Sequence, residues 1–361
     1  MRSCGVPGYL LPALTLLVLG VSAAAPARPV SMPGGVEAGG TLLCMGTGGP
    51  APAPPPPPRR DPDQPIVASP AELASLIRKL SSPDPVVRIQ AARDLAPLGE
   101  AAAPAIPALV SLLGDEALGP NDPNGDGLAL AFIPVGAEAG RTLLCLGRVA
   151  FRPLLGALRD PNERVRLQTA MTLPSVRMYA AGESVRMPCT GTRLTHGGLR
   201  RARYALVRAL ADPAPKVREF AALALGQLGE GGATEALVRA LGDAEYLVRH
   251  SASVALVRLG DPRGLEALIP LLQDPVPSVR QIAAWGVGQL GTDQARQALV
   301  GALADDDPGV RASAARGLEG FRDPETIAAL ERTLQDPDPN VQQAAKGALS
   351  IIRINLPREG P

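Results

Sequence analysis

The sequence is poor in the side chains that build most enzyme sites. Its 361 residues contain two histidines, four cysteines and nine aromatic residues (four Phe, four Tyr and one Trp). It has no C-x-x-C pair, which excludes the common zinc and thiol redox motifs. A nucleophile elbow of the form G-x-S-x-G and a phosphate-binding loop ending in Gly-Lys-Ser/Thr are also missing. We therefore expect no catalytic residue, no cofactor and no metal.

Positive charge is not in excess either. The 36 basic residues face 35 acidic ones, which gives a net charge of +1. Binding to nucleic acid depends on a surplus of basic residues facing the phosphates, so we expect no nucleic-acid partner. Lysine occurs only at Lys79, Lys216 and Lys346, and arginine supplies the rest.

Only one long apolar run stands near the N-terminus. Leu10–Val21 follows the basic Arg2 and precedes the small residues Ser22–Ala25. This run is short for a membrane span but has the length of a signal-peptide core. The sequence therefore predicts a signal peptide over residues 1–25, and a periplasmic, cell-surface or extracellular location. The alternative is an uncleaved anchor, which is the only membrane association that we expect.

A proline-rich segment follows. Residues 50–58 are almost all proline, a composition that favours extended, unpacked chain. We predict a disordered linker over residues 26–70. Recognition of this segment as a Pro-rich ligand is an alternative.

The C-terminal half repeats one phrase at a fixed interval. Asp212-Pro213 begins a turn that is followed by Val217-Arg218 and an alanine- and leucine-rich stretch ending at Gly229, and the pattern returns every 31 residues. A fixed period of this size is typical of stacked arrays. The turn aspartates are Asp212, Asp243, Asp274, Asp305 and Asp336, and the arginines are Arg218, Arg249, Arg280 and Arg311, with Gln342 in the last copy.

Each copy has the pattern of two helices. Apolar residues at spacings of three and four indicate one helix before Asp212 and a second that begins at Pro215 and ends at Gly229. Proline disfavours helix in the residue before it but fits the first turn of the next helix. A single pair of helices cannot cover its own apolar faces, whereas stacked pairs can. The sequence therefore predicts an all-α solenoid.

The order D-P-x-P-x-V-R-x-x-A-A-x-A-L-G-x-L-G resembles the short bacterial HEAT-like repeats, of the kind also found in phycobilin lyase subunits. The resemblance is specific over residues 201–353 and fair over 71–99. It implies a hydrogen-bonded ladder between the turn Asp of one repeat and the Arg of its neighbour, and second helices that line a concave side. The ladder residues would be Asp212, Arg218, Asp243, Arg249, Asp274, Arg280, Asp305 and Arg311.

The repeats are less regular before residue 200. We predict about eight helical hairpins over residues 71–355, with insertions near 115–135 and 174–198 and a tail over 356–361. In the first insertion, Asp122, Asn124 and Asp126 match the opening of a calcium loop, but Ile133 stands where its essential carboxylate is needed. A widened turn between helices is the alternative.

Cysteine and histidine give only weak signals. Cys44, Cys145 and Cys189 remain after signal cleavage, an odd number that leaves at least one thiol unpaired. We expect Cys145 to be a core thiol, and a Cys44–Cys189 bridge is conceivable. Cys189 and His196 would allow nucleophilic catalysis, but their seven-residue spacing in a Gly-containing insertion favours coincidence.

Three second-helix positions vary too much between copies to be core. Because exposed, varied residues on one face are where such an array carries its specificity, we predict that the chain is a non-enzymatic scaffold whose concave groove binds a protein partner. The alternatives are an enzyme-associated subunit resembling bilin lyase or isomerase proteins, and a calcium-dependent scaffold. The candidate binding residues are Glu219, His250, Arg258, Gln281, Trp285, Gln289 and Arg316.

Overall fold

The computed structural model describes residues 68–120, 132–175, 196–229 and 231–354. This part of the chain is built almost wholly from helices. The predicted signal peptide, the linker up to residue 67 and the tail lie outside it. The α-helices are α1 (Pro70–Lys79), α2 (Pro85–Leu95), α3 (Ile106–Leu112), α4 (Val135–Cys145), α5 (Arg148–Ala157), α6 (Glu163–Thr172), α7 (His196–Ala209), α8 (Pro215–Leu228), α9 (Thr234–Ala240), α10 (Tyr246–Leu259), α11 (Pro262–Glu266), α12 (Pro277–Val287), α13 (Asp293–Ala302), α14 (Pro308–Gly317), α15 (Pro324–Thr333) and α16 (Pro339–Ile354).

These helices form eight consecutive pairs, α1–α2 to α15–α16, and each pair is one repeat. Neighbouring second helices pack on one another more extensively than neighbouring first helices do. One continuous apolar core of Leu, Ala, Val and Ile runs between the two layers along the described repeats. The predicted all-α solenoid of about eight helical hairpins is confirmed.

The fourth repeat shows why the sequence folds this way. Pro215 occupies the first turn of α8, and Gly229 ends that helix in the left-handed region at φ 64°. Between them, Val217, Ala221 and Leu225 are almost fully buried. Small alanines bring the helices close together, and each fully buried leucine contributes about 1.5–3 kcal/mol of hydrophobic stabilisation.

The second repeat departs most from the pattern. Its two helices are joined through a short antiparallel ribbon of β1 (Leu118–Pro120) and β2 (Phe132–Pro134), so the predicted insertion near 115–135 contains paired strands. The residues between the strands, including Asp122, Asn124 and Asp126, lie outside the described part of the chain.

The first helices of the second and sixth repeats are broken by proline and glycine. Residues 96–105 form 3₁₀ turns with a kink at Gly99, where φ is 54°. Pro85–Leu112 is apolar and long enough to cross a membrane by length and composition, but this kink divides it between two repeats. In the sixth repeat, Pro270 lacks a backbone N–H and lies in the 3₁₀ turn Ile269–Gln273, after α11 has ended at Glu266.

Three expectations from the sequence need correction. The first helix starts at Pro70, capped by Ser69, rather than at residue 71. His196 begins α7, so the insertion that we placed at 174–198 ends before it; Cys189 lies outside the described residues. Cys145 is buried as expected but is disulfide-bonded rather than a free thiol. The other cysteines, Cys4, Cys44 and Cys189, all lie outside the described part, and the partner of Cys145 is one of them.

Candidate functional site

A ladder of arginine–aspartate pairs joins consecutive repeats on their turn side. Arg218 donates from Nε to Oδ2 and from Nη2 to Oδ1 of Asp243, both at 2.8 Å. Its Nη1 donates to the carbonyl oxygens of Asp212 and Pro213 in its own turn, at 2.9 and 3.2 Å. Each arginine therefore holds its own turn and that of the next repeat. The same bonds recur in the pairs Arg166–Asp212, Arg249–Asp274, Arg280–Asp305 and Arg311–Asp336.

The aspartates also fix the turns. Oδ1 of Asp243 accepts the backbone N–H of Glu245 at 2.9 Å, which shapes the turn that leads into α10. Hydrogen bonds from Arg218 lower the pKa of Asp243, and those from Arg311 lower the pKa of Asp336. Bidentate pairing between planar groups is the strongest form of this contact. The ladder is therefore a structural frame.

The ladder has one irregular pair and one gap. Arg88 Nε lies 2.8 Å from Oδ2 of Asp115, without hydrogen-bond geometry at that nitrogen. Asp115 accepts the N–H of Ala117 as the other ladder aspartates accept theirs, so it holds the turn position of the second repeat. Gly136 stands where the next arginine belongs, and a side chain there would collide with the carbonyl oxygen of Leu113.

The ladder ends in the last repeat, where Gln342 occupies the arginine position. Gln342 donates from Nε2 to the carbonyl oxygen of Asp336 at 2.7 Å, keeping the contact with its own turn. It has no charge to offer another carboxylate. This matches the sequence, in which glutamine replaces arginine in the last copy.

The candidate binding residues lie on the second helices. We call the set Glu219, His250, Arg258, Gln281, Trp285, Gln289 and Arg316 the second-helix strip. Gln281 and Trp285 lie four residues apart on α12, and Gln289 follows four residues later, in the turn after that helix; all three are exposed. The spacing of four places Gln281 and Trp285 on one face of the helix. Ala312, which occupies the position of Gln281 in the next repeat, is buried, so the exposed face is interrupted there.

The most prominent apolar side chain of the strip is Trp285, which is 49% exposed. Leu247 lies one turn before His250 on α10 and is 44% exposed. It was not among the residues predicted from the sequence. Its series reads Lys216, Leu247, Ser278, Gly309 and Asn340, and this variation was the available signal. Exposed large apolar side chains beside polar ones are typical of protein contact surfaces.

Two titratable residues of the strip are half-buried. Burial raises the pKa of Glu219 and lowers the pKa of His250, because in each case it disfavours the charged form. His250 is therefore neutral at pH 7. The exposed charges of the strip are the arginines Arg258 and Arg316.

Small residues set the spacing of the helices that carry the strip. Gly288 directly follows α12, and a Cβ atom on it would lie 2.5 Å from the Cα of Gly317 in α14. The two helices therefore approach each other backbone to backbone. Gly226 approaches Ala255 in the same way, at 2.6 Å. Gly286, Gly288 and Gly291 have the spacing of a dinucleotide-binding motif, but they stand at the end of a helix instead of opening one. Gly286 and Gly288 pack closely against neighbouring helices, whereas Gly291 adopts a positive φ of 65°.

The described residues contain no group of three or more His, Cys, Asp or Glu side chains that could hold a metal. The calcium candidates and Cys189 lie outside those residues. The side chain of His196 does too, although its backbone begins α7.

Comparison with protein families matches the C-terminal part of the chain. A family described as HEAT repeats matches residues 191–257, 234–319 and 301–359. The three matches overlap and together cover the five regular copies. Comparison with curated protein sequences gives no match.

Comparison with solved structures finds similar chains at low sequence identity. A chain of the Kap95p–RanGDP complex is 15% identical with a TM-score of 0.54, over 81% of this chain and 42% of that one. YibA of Escherichia coli is 20% identical, with a TM-score of 0.48 over 72% and 84%. The complex of CpcE and CpcF of phycocyanin lyase from Nostoc sp. PCC7120 gives 27% identity and a TM-score of 0.35, over 41% and 97%. The first of these shows a common fold.

Proposed function

We propose that this chain, a HEAT-repeat protein over residues 191–359, is a non-enzymatic scaffold whose second-helix strip binds a protein partner. The observation that carries the proposal is the contrast between two sets of positions that recur every 31 residues. The ladder positions keep Asp and Arg and are hydrogen-bonded in every regular junction. The strip positions change from copy to copy and face outward around Trp285.

The contrast has a physical meaning. Side chains that hold the stack together must make the same contact at each junction, so they repeat. An exposed position makes no such contact, so its residue type is free to suit a binding partner. Trp285 supplies apolar area, Arg316 and Arg258 supply charge, and Gln281 and Gln289 supply amide hydrogen bonds. Aromatic and arginine anchors surrounded by polar groups are typical of protein interfaces.

We also propose that the protein acts outside the cytoplasm, at the cell surface, in the periplasm or beyond. The N-terminal sequence supports this, and so does the disulfide at Cys145, because disulfides persist mainly in oxidising compartments. N-terminal sequencing of the protein from its native cells would test it. A mature chain starting near residue 26 is expected, and an intact N-terminus on protein from the cytosolic fraction would refute export.

The binding proposal is tested by comparative capture from the envelope fraction. The bait is the mature chain, alongside a strip variant with His250→Ala, Trp285→Ala and Arg316→Ala. A control variant carries Arg239→Ala, Gln297→Ala and Arg332→Ala, three exposed first-helix residues for which the described part shows no side-chain hydrogen bond or ion pair.

The expected result is a partner retained by the native chain and the control but lost by the strip variant. Circular dichroism of the three baits must coincide, so that a loss of binding is not a loss of fold. A partner retained equally by all three would contradict the role of the strip, as would one lost equally from both variants.

A further inference from the structure

A groove opens between the first helices of the third and fourth repeats. Helices α6 and α8 still pack along their length, but α5 and α7 barely touch. The chain between α6 and α7 is longer here than at any regular junction, so the ladder pair Arg166–Asp212 spans 46 residues instead of 25. The resulting cavity, of about 750 Å³, is lined by α5, α7 and the turns that follow them.

The groove is strongly basic. Four of its arginines, Arg152, Arg159, Arg201 and Arg208, are exposed, and the described part of the chain gives none of them a side-chain hydrogen bond or an ion pair. A fifth, Arg166, is taken up by Asp212.

One carboxylate in the groove wall, that of Asp160, has no ladder arginine. Asp160 holds its own turn by accepting the N–H of Asn162 at 2.8 Å. It lacks a ladder arginine from the repeat before it, because Gly136 occupies that position. The groove therefore has a surplus of unpaired positive charge beyond what its own acids can neutralise.

Apolar residues also line the groove. They are Leu155, Leu158 and Ala205, which we call its apolar floor. Tyr204 projects at its edge and is 59% exposed, with the guanidinium of Arg203 5.2 Å from the centre of its ring. Hydrogen bonds from Arg200 and then Arg203 lower the pKa of the Tyr204 phenol. The groove thus offers both cationic groups and apolar surface.

We propose that this groove binds an extended acidic peptide segment of a partner protein, with carboxylates on the arginines and apolar side chains on the floor. Guanidinium groups bind carboxylates bidentately, and Arg166–Asp212 in the groove wall already does so. The apolar floor favours such a peptide over a nucleic acid, because a peptide can place apolar side chains there whereas a nucleic acid backbone carries a phosphate at every nucleotide. A net charge of +1 for the whole chain points the same way.

The adjoining residues 176–195 carry three arginines and one glutamate, so their composition does not match the acidic occupant that we propose. The groove also lies on the first-helix layer, away from the second-helix strip. A negative result for the groove would therefore leave the proposed function of the strip untouched, and the reverse also holds.

The test uses fluorescence anisotropy with the mature chain and a fluorescein-labelled octapeptide of alternating Glu and Leu. A matched peptide has Gln in place of every Glu. The protein variants are Arg152→Gln with Arg201→Gln in the groove and, as a control of equal charge change, Arg239→Gln with Arg332→Gln on other first helices. All four side chains are exposed, so folding is expected to be unaffected, and circular dichroism checks this.

We expect saturable binding of the Glu peptide that is roughly tenfold or more weaker in the groove variant and unchanged in the control. The Gln peptide should bind at least as weakly as the Glu peptide does to the groove variant. Absence of binding, equal binding of both peptides, or equal losses in both variants would overturn the inference. So would binding of phosphatidylglycerol vesicles that depends on Arg152 and Arg201 while the Glu peptide does not bind.

Discussion

At the residue scale, the ladder arginine is the side chain that ties one repeat to the next. Its side chain is 12–16% exposed in the five hydrogen-bonded pairs, so these pairs are shielded from most of the screening that weakens surface ion pairs. The 31-residue period located these residues from Asp212 to Arg311, and the resemblance to HEAT-like repeats implied that they form a ladder. It could not reveal Arg166 as a partner of Asp212, because an insertion separates them.

Replacing one ladder arginine should destabilise the array. In Arg249→Gln, Asp274 loses a bidentate partner while remaining 8% exposed, so a buried carboxylate is left without its cation. We expect a loss of about 2–4 kcal/mol in the free energy of unfolding. Arg258→Gln on the same helix removes an exposed arginine and should change stability by less than about 0.5 kcal/mol. Urea denaturation measures both, and equal midpoints would contradict the account.

Acid should weaken the ladder as a whole. The folded-state pKa values of Asp243 and Asp336 lie below the ordinary value of about 3.9, because arginine hydrogen bonds favour the ionised form. Such groups contribute stability that is present above the unfolded-state pKa and lost as pH falls through the folded-state value. Thermal melts should therefore show the melting temperature falling steeply below about pH 4. Arg249→Gln should flatten this dependence, and an unchanged slope would count against it.

At the element scale, the second helices are spaced by glycine and alanine. The sequence shows many small residues in these helices but not which of them face each other, since that depends on the crossing of two helices. Gly288 meets Gly317, whereas Gly301 on α13 has open space around it. A glycine in these helices can therefore either allow two helices to approach closely or make no contact at all, and only the packing distinguishes the two cases.

This difference predicts opposite effects for one substitution. Gly288→Ala would place a methyl group 2.5 Å from the Cα of Gly317, so the helices must separate, at a cost of about 1–3 kcal/mol. Gly301→Ala adds a methyl group in open space within a helix and should stabilise by about 0.5–1 kcal/mol. Chemical denaturation of the two variants decides it. The packing account is wrong if both variants gain stability.

Irregular elements were the least predictable. The length of the insertion near 115–135 could be read from the sequence, but its paired strands Leu118–Pro120 and Phe132–Pro134 could not, because Gly and Pro suit a loop equally well. The role of Asp115 was also missed. Its context, Leu113-Gly114-Asp115, matches Leu241-Gly242-Asp243 in a regular copy and was the signal that would have identified it.

At the scale of the whole molecule, the array is more uniform in its C-terminal repeats. The ladder is continuous from Arg166 to Asp336 but broken at Gly136, and the second helices of the first three repeats pack on one another less extensively than those of the last five. Stability in stacked arrays depends on the repeats and on the junctions between them. The first three repeats therefore have weaker junctions than the last five.

Amide hydrogen exchange should reveal this division. We expect buried amides of α4 and α5 to exchange at least about tenfold faster than those of α10 and α12, because opening near Gly136 breaks fewer contacts. Mass spectrometry of peptides from the exchanged protein provides the comparison. Equal protection along the array, or greater protection in α4, would show that the ladder does not set local stability.

The central claim is that the second-helix strip, carried by this frame, is the face that meets a partner. It is tested most directly by placing a photo-crosslinking amino acid at Trp285 in the protein expressed in its native cells, with Arg332 on the first-helix layer as the matched position. The account predicts a covalent adduct with another protein at position 285 and none at 332. Adducts at 332 alone, or the same adducts at both positions, would contradict it.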